Sequence, residues 1–292
     1  MAGLVGAALA VTAWGSGTVL VKAISMGGLS IAVYRFLLHF LAIVIWMWWR
    51  GTPFTLASIR RSAFGGIALA CDVAFFFSAV KATSVINATL IGALQPVLVG
   101  VIAARFFGER IRGRDAFWSV LALVGVAGVV IATGDSAVSS LKGDLLAVGA
   151  LLAWSGYFVA SKQSKNKMTP TEFTAGSALW AGALNLPLAL IVGQDLSPPT
   201  GADIVLLLAM TFISGVVGHT LMNWSLVQIP LWVASTFTLL IPVAASLMAW
   251  AFLDEPLTML QIMGTAAVLG SLGAIVIGQS RPTRPLTAAP PD

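Results

Sequence analysis

The stretch "IGALQPVLVGVIAARFFGER" (Ile91–Arg110) sets a proline in the middle of an apolar run and ends the run on a lone Glu followed by Arg. The stretch "TLLIPVAASLMAWAFLDEP" (Thr238–Pro256) repeats that punctuation, and Pro242 precedes Glu255 by thirteen positions, as Pro96 precedes Glu109. A proline inside an apolar helix deletes one backbone hydrogen bond and crowds the carbonyl four residues earlier. Both segments are therefore predicted to bend near their middle and to release the carbonyls of Gly92 and Thr238, which makes Pro96 and Pro242 candidate hinges. Glu109 and Glu255 fall at helix ends and read as loop anchors rather than as solute-handling groups.

Working outward, a shift of 140 positions lays "GLVGAALAVTAWGSGTVLVK" (Gly3–Lys22) over "GDLLAVGALLAWSGYFVASK" (Gly143–Lys162), pairing Trp14 with Trp154. A shift of 146 pairs Pro96 with Pro242 and Glu109 with Glu255. The chain thus reads as a duplication, residues 1–140 and 141–280, followed by a Pro-rich polar tail, 281–292, that has too little apolar surface to fold.

Of the 292 residues 58% are apolar and 9% charged, against roughly 25% charge in soluble domains. This composition specifies an integral membrane protein. Two His and one Cys provide neither a disulfide nor a four-ligand zinc site, and no cofactor is implied. The net charge of +5 comes from basic residues gathered between apolar runs, which argues for membrane topology and against nucleic acid.

A helix needs about 20 apolar residues to cross the hydrocarbon core. Ten spans meet that need, near 3–22, 29–49, 63–82, 84–106, 115–134, 143–162, 172–193, 203–223, 231–253 and 258–278. With both termini in the cytoplasm, twelve basic residues from Arg50 to Arg284 fall inside and only Lys22, Lys81 and Lys142 fall outside. Each half holds five spans, an odd number, so the second half enters the bilayer from the opposite side. The expected fold is all-α, with ten transmembrane helices in two inverted five-helix repeats around a central cavity, the arrangement on which alternating-access transporters are built.

In the first span Gly3, Gly6, Ala10, Ala13 and Gly17 form a small-residue stripe around Trp14, which lets neighbouring helices approach. Trp14, Trp154 and Tyr157 are candidate cavity walls, with packing as the alternative. Asp72 lies halfway along the third span, where a carboxylate costs about 2.5–3.5 kcal/mol on insertion scales. Arg35 and His39 share one face of the second span and are its candidate partners. An Asp72–Arg35 pair would be structural, whereas Asp72 with His39 would titrate and couple transport to protons; a third alternative has Arg35 snorkelling outward and Asp72 protonated. Asn87 with Gln95, and His219 with Asn223, share faces of the fourth and eighth spans and can bind an ammonium or a carboxylate without adding net charge.

The segment Ser78–Ile111, with its mid-helix Pro and terminal Gly-Glu-Arg, resembles the signature of the drug/metabolite transporter superfamily, in the branch with two EamA-type five-helix units. "YRF" at Tyr34–Phe36 is similar to that family's Arg-Phe. The second half departs from the pattern, since Gly-Glu-Arg becomes Asp254-Glu255-Pro256. The resemblance, strongest to the aromatic amino-acid exporters, implies export of amino acids or related metabolites across a bacterial inner membrane. Other amphipathic metabolites or drugs are the alternative cargo. Phosphorylated solutes would need more buried basic groups than Arg35, and a multidrug cation carrier would need an acid in the first span. An intramembrane enzyme would need HExxH, GxSxG or more His, none of which is present; vesicle flux separates a carrier from a scaffold. The expected partners are a small-molecule solute and the lipid bilayer, for a monomeric chain.

Overall fold

The computed structural model describes residues 1–82, 85–132, 140–253 and 256–280. Its helices form ten rods. The first three are α1 (Ala2–Ala23), α2 (Gly28–Trp49) and α3 (Leu56–Ala82). The fourth rod is broken into α4 (Val85–Gly92) and α5 (Gln95–Phe106), and α6 (Gly113–Ala132), α7 (Leu141–Ser164) and α8 (Pro170–Ile191) follow. The eighth rod joins α9 (Ala202–Met210), a π-helical segment (Thr211–His219) and α10 (Thr220–Leu226). The ninth is broken into α11 (Leu231–Phe237) and α12 (Leu240–Leu253), and the tenth is α13 (Met259–Ser280).

Among the described residues nine rods are long and apolar enough to span a membrane; the remaining one, α3, carries Arg60, Arg61 and Asp72. It starts seven residues before the expected boundary because its polar first turn has partners outside the apolar core. Thr55 Oγ1 accepts from Ser58 N at 3.2 Å, and Trp180 Nε1 donates to Ile59 O at 2.9 Å. The apolar side chains that remain exposed, such as Val101, Val124, Leu152 and Ile213, fit a surface solvated by lipid.

Helix packing depends on residues without bulk. A Cβ on Gly3, Gly6 or Gly17 would strike Gln228 and Ile229, Ser225, or Ser214, so the small-residue stripe of α1 lies along the eighth rod. The fifth and tenth rods, α6 and α13, approach most closely at Gly125 and Gly264, where a Cβ on either would come within 2.7 or 2.5 Å of the other's carbonyl oxygen.

The rods that carry Pro96 and Pro242 break just before the proline, whereas α8 runs unbroken through Pro187. Residues 93–94 separate α4 from α5, and residues 238–239 separate α11 from α12. The carbonyl of Thr238, deprived of its partner by Pro242, accepts from Ile241 N at 3.0 Å. These are interruptions rather than the gentle bends expected, because the chain closes tighter three-residue turns around the missing bond.

Each end of the bundle is tied by polar contacts. At one end Asp203 accepts from Ser25 N at 3.1 Å, and Gln194 Oε1 caps α2 by accepting from Leu29 N and Ser30 N at 2.9 and 3.1 Å. At the other, Arg61 Nη1 donates to Lys167 O at 2.7 Å and Ser58 Oγ donates to Glu172 at 2.8 Å. Glu172 also completes a capping box with Thr169 at the start of α8.

Candidate functional site

A cavity of about 360 Å³ lies at the centre of the bundle, toward the lower end of the range of about 300–1,000 Å³ found for small-molecule sites. Its wall runs from Trp14, Trp154 and His219 at mid-bundle to Val21, Ala88 and Ala147, near the end tied by Ser25 and Asp203. Among the described residues the half of the bundle at the opposite end contributes none to the lining, and its side chains pack into a buried core.

The aromatic floor joins the two halves of the sequence. Trp14 and Trp154 meet edge to face with ring centroids 5.1 Å apart, and Trp154 stacks on Tyr157 at 5.4 Å. Trp14 reaches its place because the position facing it on the eighth rod is Gly218, whose Cβ would lie 2.7 Å from Trp14 Nε1.

Behind this floor runs a connected polar chain. Arg35 Nη2 lies 3.4 Å from both Ser214 Oγ and His219 Nε2. A guanidinium only donates, so Nε2 accepts and the ring proton resides on Nδ1, 3.2 Å from Tyr157 Oη. Asn223 Nδ2 donates to Tyr157 Oη at 2.8 Å and to Thr174 Oγ1 at 2.9 Å, and Ser161 Oγ donates to Asn223 Oδ1 at 2.8 Å. Three helices are thereby pinned beneath the cavity, and Arg35 is held at its edge. The π-helical segment makes this possible, since its wider turn directs Ser214 and His219, five residues apart, toward one guanidinium.

The expected site residues divide accordingly. Trp14, Trp154, Asp72, Arg35, His219 and Pro242 line the cavity. Tyr157 and Asn223 are buried in the polar chain beneath it. Gln95 is fully buried and meets Thr238 Oγ1 at 2.9 Å, which links the break before Pro96 to the break before Pro242; Pro96 itself lies outside the lining. His39 is 1% exposed, stacks on Phe36 at 6.4 Å, and neither of its ring nitrogens has a partner. Asn87 falls in α4, but its side chain lies outside the described residues, as do Glu255 and the tail 281–292.

Two expectations need correction. Arg35 and Asp72 share the cavity but form no ion pair within 4.0 Å, because Arg35 Nη2 is drawn toward Ser214 and His219 on the eighth rod. Glu109 anchors a helix rather than a loop. Its two oxygens accept from Leu231 N at 2.7 Å and Trp232 N at 3.1 Å, at the first turn of α11, with Lys162 Nζ 3.9 Å away. Lys162 also donates to Ile229 O at 2.5 Å, so these groups bind α5, α7 and α11 together at the closed end.

Three features were not anticipated from the sequence: the π-helical register with Ser214, the Glu109 cap and the Gln194 cap. The pairing of Gly215 and Gly218 with Ser214 in an apolar span was the available signal for the first. The two caps join residues far apart in the chain, and no local pattern announces them.

A bundle of apolar rods long enough to cross a bilayer, with a central chamber reached from one end, defines a multi-pass membrane protein. The profile of the EamA-like transporter family matches residues 1–131 and again residues 141–277, and the chain belongs to that family. It is 31% identical to the "Aromatic amino acid exporter YddG" of Ancylobacter novellus over 158 residues, 52% of either chain. It is 24% identical to the "Probable amino-acid metabolite efflux pump" of Salmonella typhimurium, over 93% of this chain and 94% of that one. Three of the curated relatives are matched over 63%, 67% and 52% of their own length. A solved crystal structure superposes with a TM-score of 0.82 at 19% identity, covering 96% of this chain and 98% of the other; at that identity the likeness speaks for the fold alone. The family is one of transporters, not enzymes, and among the described residues no group of three or more His, Cys, Asp or Glu could hold a metal ion.

Proposed function

We propose that the chain exports neutral amino acids, chiefly aromatic ones, across a bacterial inner membrane by alternating access between two inverted five-helix halves. The observation that carries this reading is the one-sided cavity: it reaches from the paired tryptophans to one end of the bundle while the other end is closed by Glu109, Lys162 and the Tyr157–Asn223 chain. Exchange of the closed and open ends requires the ninth and fourth rods to move, and both are already broken at their centres. The distribution of basic residues assigns the closed end to the cytoplasm, so the cavity faces outward. Mostly apolar walls with two tryptophans suit a solute with a flat apolar side chain and a small polar head. The names of the two relatives above, an aromatic amino-acid exporter and an amino-acid metabolite efflux pump, point the same way.

Proteoliposomes containing the purified protein should exchange external labelled Trp, Phe or Met for internal unlabelled solute. Absence of exchange for every neutral amino acid removes the reading.

A further inference from the structure

We propose that the cavity holds the zwitterionic head of an α-amino acid at two separate points, with the carboxylate on Arg35 and the ammonium on Asp72. The assignment deepens the transport reading and takes from it only the choice of amino acids as solutes.

Both side chains line the same chamber, on neighbouring helices α2 and α3, near enough to attract each other but with no hydrogen bond or ion pair within 4.0 Å between them. Among the described residues the half-buried Asp72 carboxylate accepts no hydrogen bond and has no cation within 4.0 Å. Arg35 uses Nη2 alone, in two long contacts to Ser214 and His219; Nη1 makes no hydrogen bond, and Nε is buried without a partner. The unpaired guanidinium donors and the bare carboxylate are costly in an apolar bundle unless counter-charges arrive. A lone anion would neutralise Arg35 and leave Asp72 bare, and a lone cation would do the reverse. A zwitterion answers both, adds no net charge to the membrane interior, and extends its side chain over the Trp14–Trp154 floor.

His219 and Ser214 are positioning residues in this scheme. They hold Nη2, while the guanidinium lies over the Phe36 ring, 4.9 Å from its centroid, at the chamber wall. Sites built around hydrogen-bonding groups reject analogues that lack them, because the buried partner is then left unpaired. Loss of a charged hydrogen bond is worth at least a tenfold change in affinity.

The test uses purified protein in detergent and three probes of similar shape: L-phenylalanine, 3-phenylpropionate, which lacks the ammonium, and phenethylamine, which lacks the carboxylate. Thermal stabilisation and competition against labelled phenylalanine should show both analogues binding at least tenfold more weakly than phenylalanine. Asp72→Asn should shrink the gap between phenylalanine and phenylpropionate and leave the phenethylamine gap in place; Arg35→Gln should do the converse. Should either variant fail to fold, the comparison on the unaltered protein still decides, since an analogue that binds as tightly as phenylalanine overturns the assignment. Binding with the expected discrimination but without flux in proteoliposomes sinks the transport reading and upholds the two-point site. Flux of phenylalanine with undiminished competition by both analogues does the opposite, and no binding of any neutral amino acid overturns both.

Discussion

Replacing Glu109 with Gln probes what keeps one end of the chamber shut. The native carboxylate takes two backbone N–H groups at the first turn of α11, at 2.7 and 3.1 Å, where the positive end of the helix dipole adds to the attraction. A Gln amide can accept from Leu231 N through its oxygen, but its NH2 then faces the N–H of Trp232, donor against donor. One charged hydrogen bond is lost, worth about 1.5–3 kcal/mol. Lys162, 3.9 Å from the carboxylate, loses its counter-charge as well. If these contacts exist only while that end is closed, the equilibrium moves toward opening by the same amount, roughly ten- to a hundredfold at about 1.4 kcal/mol per decade. The assay is labelling of a cysteine placed in the cavity wall, Ala93→Cys in a Cys71→Ala background, by a membrane-impermeant maleimide applied from the Glu109 side. The Glu109→Gln protein should label at least tenfold faster than its parent. A rate within twofold of the parent would show that the cap is a static fastening and that closure rests on packing alone.

Trp14→Ala and Trp154→Ala should each raise the half-saturating phenylalanine concentration about five- to tenfold, because an aromatic pair contributes roughly 0.5–1.5 kcal/mol beyond the area it covers; counterflow kinetics measure this, and unchanged kinetics in both would place the substrate elsewhere. Thr238→Val should slow exchange and lower thermal stability by about 1–3 kcal/mol, since the Gln95 amide already has an unpartnered Nε2 and would lose its remaining contact; circular dichroism melts and flux assays check the two halves of that statement. Gly264→Val should reduce the melting temperature through overpacking of about 1–3 kcal/mol or more, because its Cβ would meet the Gly125 carbonyl oxygen rather than a movable side chain. Thr169→Ala should cost about 1 kcal/mol of stability through loss of the capping box, with substrate affinity unaltered.

Several elements of this molecule could be read before folding was considered. Pro96 and Pro242 marked the two broken rods to within a few residues, because each removes an amide proton from its helix; Pro187, inside an unbroken α8, shows that the loss alone does not force a break. Trp14 and Trp154 were matched by sequence shift alone, and they meet in space. The glycine stripe of α1 announced close packing but not which neighbour would occupy it. Asp72 and Arg35 were recognised as misfits in apolar spans, but which group answers each of them was not legible, since periodicity relates residues of one helix and the partners come from others.

Composition and periodicity by themselves determined that this chain lies in a bilayer and that it is built of ten helical rods. Those properties follow from chain-local quantities: the apolar length needed to cross hydrocarbon and the backbone bonds that each segment must close internally. Which charges remain unpaired, which end of the chamber is shut, and that Glu109 crowns a helix 122 residues further along were decided only by the tertiary structure. Electrostatic and hydrogen-bond partners act over a few ångströms of space, and the folded packing of the rods alone sets which groups come within that range.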